Sequence, residues 1–222
     1  MHLAADNFSG AIEEFGVALR GVGPGAPAER VRLLCRLAAA LTHRSENEAA
    51  LARLREARGV ARVLHDPRAM ARVAGRLAHS LLELGRYREA RRYARHAYEG
   101  LRDTDDHHAV GRVVLSLGLC SVRLGRPHEA IEWFQSAVAT FRRIDDTDGL
   151  VSALNNLGIV YKNLREWREA TRFLEQALQL DNKAGLYARM GSHNQNLGLI
   201  RFRLGQWDLA EENFRQSLKI AR

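Results

Sequence analysis

The feature that most limits what this chain can become is a period. Ala50, Ala90, Ala130, Ala170 and Ala210 occupy one phase and Leu37, Leu77, Leu117, Leu157 and Leu197 another, both advancing by forty residues without slippage. A fixed period in this range means one supersecondary unit built several times, each copy burying its apolar face against its neighbours. The fullest copy, residues 149–180, has the skeleton Leu157-Gly158, Tyr161, Leu164, Trp167, Ala170, Leu174 and Ala177. Downstream it recurs as Leu197-Gly198, Arg201, Leu204, Trp207, Ala210, Phe214 and Ser217, and upstream as Leu117-Gly118, Ser121, Leu124, Pro127, Ala130, Phe134 and Ala137.

Within one unit the spacing is helical. Leu154, Leu157, Gly158, Tyr161 and Leu164 fall at i, i+3, i+4, i+7 and i+10, one face of an α-helix. Glycine in mid-helix is disfavoured by about 1 kcal/mol relative to alanine, so Gly158 implies a compensating close approach by another helix. Ala170 and Ala177 are the matching small residues of the second helix, letting Trp167 and Leu174 wedge between neighbours. Helices of this length are marginal alone, so stacking must hold them. Tyr87, Trp167 and Trp207 recur at the packing position and are expected in the core.

The punctuation divides the chain into an orphan second helix at 1–20, a loop at 21–27 (GVGPGAP), and five helix pairs at 28–68, 69–108, 109–148, 149–187 and 188–222. Turns within pairs fall at Ser45-Glu46, Gly85-Arg86, Gly125-Arg126, Arg165-Glu166 and Gly205-Gln206. Between pairs lie DPR, DTDDHH, DDTDG and DNKAG, whose Asp, Thr and Asn side chains suit helix caps. Starting with half a unit and ending in LKIAR without a polar closing helix suggest a segment of a longer protein, since solenoids normally cap their ends.

The pattern resembles the tetratricopeptide repeat: its large residue, Leu-Gly, Tyr, small residue, aromatic and Ala are matched by Leu154, Leu157-Gly158, Tyr161, Ala170, Leu174 and Ala177. The resemblance covers essentially the whole chain and is fullest in the repeats beginning near 111, 151 and 191; in the two before, Ala38 and Ala78 replace Gly, and Arg44-Ser45 replaces Leu-Gly. The forty-residue form is similar to repeats in kinesin light chain and in large bacterial signal-responsive transcriptional regulators. The resemblance implies an all-α fold, a right-handed α-solenoid of antiparallel helix pairs with about eleven helices. It also implies a concave groove, lined by the first helices, that binds an extended peptide or partner helix.

Carried over repeat by repeat, the groove positions are Arg32, Cys35, Arg36 and Ala39, then Arg72, Gly75, Arg76 and His79, then Arg112, Leu115, Ser116, Leu119 and Arg123. The fourth repeat supplies Ser152, Asn155, Asn156, Ile159, Lys162 and Asn163, and the fifth Ser192, Gln195, Asn196, Leu199, Phe202 and Arg203. The N-terminal half is thus an arginine ladder and the C-terminal half is rich in amides. An amide side chain donates to a peptide carbonyl and accepts from a peptide N–H without sequence preference, whereas arginine selects carboxylates. The reading is a non-enzymatic protein- or peptide-binding scaffold with an acidic partner, a regulatory or sensor segment of a larger bacterial signalling or transcription-regulating protein. Its alternatives are a self-assembling module stacking through uncapped ends and, behind it, a nucleic-acid-binding repeat.

Other classes find little support. The net charge of +8 permits an acidic partner without identifying one. Single-stranded nucleic acid is usually held by stacking aromatics, and Phe202 is the lone aromatic among the groove positions. The family's clamp for a C-terminal carboxylate finds Asn156 but no register matching its remaining Lys, Asn and Arg. His107-His108 after Asp105-Asp106 reads as a cap and solvated loop rather than a metal site. No phosphate-binding glycine loop, G-x-S-x-G or H-E-x-x-H is present, so neither an enzyme nor a cofactor is expected. Cys35 and Cys120, at interior helical positions without C-x-x-C spacing, read as small core residues. Without a signal-like N-terminus or a long apolar run, a cytoplasmic location and no membrane partner are expected. Arginine-rich, lysine-poor usage, with only Lys162, Lys183 and Lys219, fits a GC-rich bacterial source.

Overall fold

The computed structural model of the chain describes residues 2–23 and 25–220, with the side chains of residues 8–23, 25–187 and 189–220. Among them are eleven α-helices and no strand: α1 (His2–Gly21), α2 (Pro27–His43), α3 (Asn47–Val63), α4 (Pro67–Glu83), α5 (Tyr87–Leu101), α6 (His107–Arg123), α7 (Pro127–Arg143), α8 (Thr147–Asn163), α9 (Trp167–Ala184), α10 (Tyr187–Arg203) and α11 (Trp207–Ile220). The chain is an α-solenoid in which consecutive helices pack on one another from α1 to α6 and from α7 to α11. It divides into two compact units, the first ending at Leu124 and the second beginning at Gly125. No described helix is long and apolar enough to cross a membrane.

The turns within pairs explain the punctuation. Ser45, Gly85, Gly125, Arg165 and Gly205 all adopt left-handed backbone, with φ between 62° and 73°. Around four of them the same pair of hydrogen bonds closes the helix end. Ser45 N donates to Thr42 O and Glu46 N to Leu41 O, and the pattern repeats in Arg86 N to Leu81 O, Glu166 N to Tyr161 O and Gln206 N to Arg201 O, each at 2.9 Å. This two-bond closure satisfies carbonyls that a helix end would otherwise orphan. Replacing Leu-Gly by Arg44-Ser45 therefore leaves the turn unchanged, at the cost of holding a side-chain-bearing residue in αL.

Three of the four inter-pair loops cap the next helix as their composition implies. Asp66 accepts from Arg68 N and Ala69 N, Asp106 from Ala109 N and Asp146 from Gly149 N. The fourth differs: Asp181 of DNKAG lies inside α9, which runs on to Ala184 and stops at Gly185 with φ 69°. Leu186 precedes α10 with no side-chain cap. Asp181 is committed elsewhere, as shown below.

The core of the first unit is built from Leu34, Leu51, Leu54, Leu77 and Leu81, with Ile12, Phe15 and Leu19 of α1 packed against it. Ala50, Ala57, Ala61 and Ala90 are fully buried among them. In the second unit Phe134, Phe141, Leu154, Leu157 and Leu174 play the same part around Ala130, Ala137, Ala170 and Ala177. Gly158 shows why the repeat demands a small residue: a Cβ there would lie 2.5 Å from Leu174 Cγ on α9. Gly198 is closed off in the same way by Phe214 on α11. Cys35 and Cys120 are free and buried, and burial pushes the Cys120 thiol up to about 12.

Candidate peptide-contacting faces of the two units

In the first unit the expected positions lie on α2, α4 and α6. Arg32, Arg36, Arg72, Arg76, Arg112 and Arg123 are exposed and His79 is half-buried. Their partners differ. Arg32 pairs with Glu29 one turn back on its own helix, and Arg72 Nε lies 2.7 Å from Asp106 Oδ2, the cap of α6. The Arg123 guanidinium sits 5.9 Å from the centre of the Tyr87 ring. Arg36 and Arg76, forty residues apart, have no carboxylate partner among the described residues. Burial holds His79 below the ordinary histidine range, and Arg112, His43 and Arg76 push it the same way against the pull of Glu83.

In the second unit the expected positions lie on α8 and α10, and several contact one another rather than standing free. Lys162 Nζ donates to Asn196 Oδ1 across the two helices at 2.6 Å, and burial lowers the pKa of this lysine. Asn155 Oδ1 lies 3.1 Å from Nδ1 of His193. Asn156 Nδ2 donates to Ser152 O one turn back, and Ser152 and Ser192 hydroxyls donate to the carbonyls of Asp148 and Arg189. Ile159 is half-buried, whereas Asn163, Gln195, Leu199 and Arg203 are exposed. Phe202 is 49% exposed and meets Trp207 edge-on at 4.9 Å.

Trp207 departs from its expected place in the core: it is 61% exposed, while Trp167, one repeat earlier, packs against the cluster of Ala170, Leu174, Leu197 and Ile200. Among the described residues no helix covers the later tryptophan in the way α10 covers the earlier one.

Beneath the α8 and α10 positions lie two buried polar clusters, centred on Asp181 with His193 and on Asn213 with Asn194, that the groove positions do not include. Asp181 is 0% exposed; its Oδ1 accepts from Arg189 at 2.6 Å and its Oδ2 lies 3.0 Å from Nε2 of His193, itself 3% exposed. Asn213 Nδ2 donates to Asn194 Oδ1 at 2.9 Å, and Asn213 Oδ1 accepts from Arg201 at 2.7 Å. The signal was in the period. Asn194 stands at the phase of Leu34, Val114 and Leu154, His193 at that of Leu33, Val113 and Ala153, and Asp181 at that of Leu101 and Phe141, all buried and apolar. A polar residue in a phase otherwise apolar must bring its own partners, because an unsatisfied buried group costs about 1–3 kcal/mol.

Comparison with known proteins agrees with the repeat fold. No curated protein sequence matches the chain. Among solved structures, BtubC (BKLC) from P. vanneervenii is 22% identical with a TM-score of 0.79, covering 98% of this chain and 89% of that one. A Rap protein complexed with competence and sporulation factor is 15% identical with a TM-score of 0.76, covering 99% of this chain and 71% of that one. A signal transduction ATPase with numerous domains and a tetratricopeptide repeat sensor, from Pyrococcus horikoshii, is 17% identical with a TM-score of 0.74, covering 96% of this chain and 36% of that one. At these identities the likenesses establish the fold. The family model for the tetratricopeptide repeat matches residues 29–103 and 111–183, two thirds of the sequence, and the chain belongs to the tetratricopeptide repeat family.

Proposed function

We propose that this protein is a non-enzymatic scaffold that binds an extended, acidic peptide segment along its first helices, as a regulatory or sensor part of a bacterial signalling protein. The observation that carries the reading is the pair Arg36 and Arg76. Two guanidinium groups at equivalent positions of packed helices α2 and α4 are exposed and unneutralised among the described residues. Each is free to take a carboxylate by paired N–H donation. The repeat fold, and a Rap protein of like fold complexed with competence and sporulation factor, support a binding role. On the second unit, the amides of α8 and α10 suit a peptide backbone.

Labelled acidic and basic peptides of equal length, titrated by fluorescence anisotropy at increasing salt, test the reading. The acidic peptide is expected to bind with affinity that falls as salt rises, and the double variant Arg36→Gln/Arg76→Gln to flatten that dependence. Equal binding of both peptides, or a salt slope untouched in the variant, defeats it. A parallel arm with single-stranded nucleic acid separates the charge-based rival.

A second reading, self-association, is favoured by the exposed apolar residues of the last helix pair: Phe202, Leu204, Trp207, Leu209 and Leu218. Light scattering over a concentration series decides it, since a strict monomer at high concentration removes it.

A further inference from the structure

Three side chains on three helices of the second unit form a chain from interior towards surface: Asp181 on α9, His193 on α10 and half-buried Asn155 on α8. A carboxylate has only lone pairs to offer, so Nε2 of His193 carries the proton in the 3.0 Å contact with Asp181. The charge state of the ring then decides what Nδ1 is: a lone pair in the neutral imidazole, an N–H in the imidazolium. The Asn155 amide can meet either, because a half-turn about Cβ–Cγ exchanges its oxygen and its nitrogen. The arrangement with Oδ1 at 3.1 Å from Nδ1 is the one the imidazolium requires. The end of the amide turned away from the ring has no partner among the described residues.

We propose that Asp181 and His193 together set which end of the Asn155 amide is offered to a partner on α8: the carbonyl oxygen over a neutral ring, the NH2 group over a protonated one. A peptide backbone presents donors and acceptors in alternation, so reversing one amide changes the register or strength with which a segment sits. The device rests on α8 and α10 being the partner-contacting helices, and it makes His193 a positioning residue that itself touches no ligand.

The charges facing the ring are few. Asp181 on α9 favours protonation; Arg189, in the first turns of α10 and paired with Asp181 and with Asp148 of α8, opposes it, and burial opposes it more. The neutral ring is thus the resting state near neutral pH, with the Asn155 amide turned by a half-turn from the Oδ1-facing arrangement. On the other side of α10, α11 presents the uncharged Asn213 to Asn194.

The test is nitrogen-15 NMR of the labelled protein, taken from about pH 8 to about pH 4.5 across the histidine range. At the upper end His193 is expected as the single Nε2–H tautomer. On acidification its Nδ1 resonance and the side-chain NH2 pair of Asn155 should move with one common midpoint. His193→Gln should abolish the movement of the Asn155 pair, and Asp181→Asn should populate both ring tautomers. An Nδ1–H tautomer at neutral pH, or an Asn155 pair that ignores the His193 titration, overturns the proposal. If Asp181→Asn does not fold, the wild-type titration decides alone. Failure of acidic peptides to bind would remove the proposed function and leave this spectroscopic result standing, so the two fail separately.

Discussion

Lys162 of α8 donates across 2.6 Å to the side-chain oxygen of Asn196 on α10, tying two positions thirty-four residues apart into one polar contact. Both residues belong to the proposed peptide face, so the contact orients them at the expense of part of their capacity. Lysine carries three donors and the amide keeps its NH2, which leaves each able to meet a ligand.

Asn196→Ala is therefore expected to act on stability as well as on binding. Lys162→Met and Asn196→Ala combined in a double-mutant cycle should show a coupling of about 1 kcal/mol in urea denaturation. Additive effects would mean the pair is not formed in solution.

The left-handed turn residues make a second prediction. Ser45→Gly and Arg165→Gly should each stabilise the protein by about 0.5–1 kcal/mol, the αL strain removed less the entropy glycine adds to the unfolded chain. Gly205→Ala, at φ 73°, should lose about 1 kcal/mol. Denaturation midpoints that fail to move in opposite directions for the two changes would refute the strain argument.

Gly158 and Gly59 should respond oppositely to alanine. A Cβ at Gly158 meets Leu174 Cγ at 2.5 Å, whereas one at Gly59 on α3 meets nothing within 4 Å. Gly158→Ala is expected to lose about 1–3 kcal/mol through overpacking, while Gly59→Ala gains up to about 1 kcal/mol of helix propensity. In the background Leu174→Ala, Gly158→Ala should lose much less, since the obstructing atoms are gone. An undiminished loss there would place the cause elsewhere.

Acid should weaken the fold through its buried histidines. Burial lowers the pKa of both His193 and His79 below the ordinary value of 6.5, so the unfolded chain binds more protons in the window beneath that value. Stability then rises with pH through the window: the contribution is complete above 6.5 and is lost as pH falls towards the folded-state values. Thermal melts between about pH 7 and about pH 5 should show a falling midpoint, with the fall reduced in His193→Gln. An unchanged pH slope in that variant would show that His193 does not contribute.

Sequence and structure divide the account at recognisable places. Helix positions, turn positions and the all-α repeat class follow from local rules: i, i+3, i+4 apolar spacing, αL residues after each first helix, and Asp caps at Asp66, Asp106 and Asp146. Asp181 breaks the last rule because a cap competes with any other partner a carboxylate can reach. Here Arg189 and His193, eight and twelve residues away and brought close by the packing of α10 on α9, won. Trp207 breaks the repeat's packing rule for the complementary reason, that a side chain is buried only if something lies over it.

What the amino-acid sequence determined by itself is therefore the unit: a forty-residue helix pair, its small residues and its turns, because these depend on neighbours a few positions away. Only the tertiary structure decided which polar groups are spent and which remain. Arg72 is spent on Asp106, Asn156 Nδ2 on its own helix and one end of the Asn155 amide on His193, while Arg36 and Arg76 keep their charge unpaired among the described residues. The physical reason is that a hydrogen bond or ion pair requires contact within about 3 Å, and for residues twenty-five to forty positions apart the stacking of helices alone sets that distance.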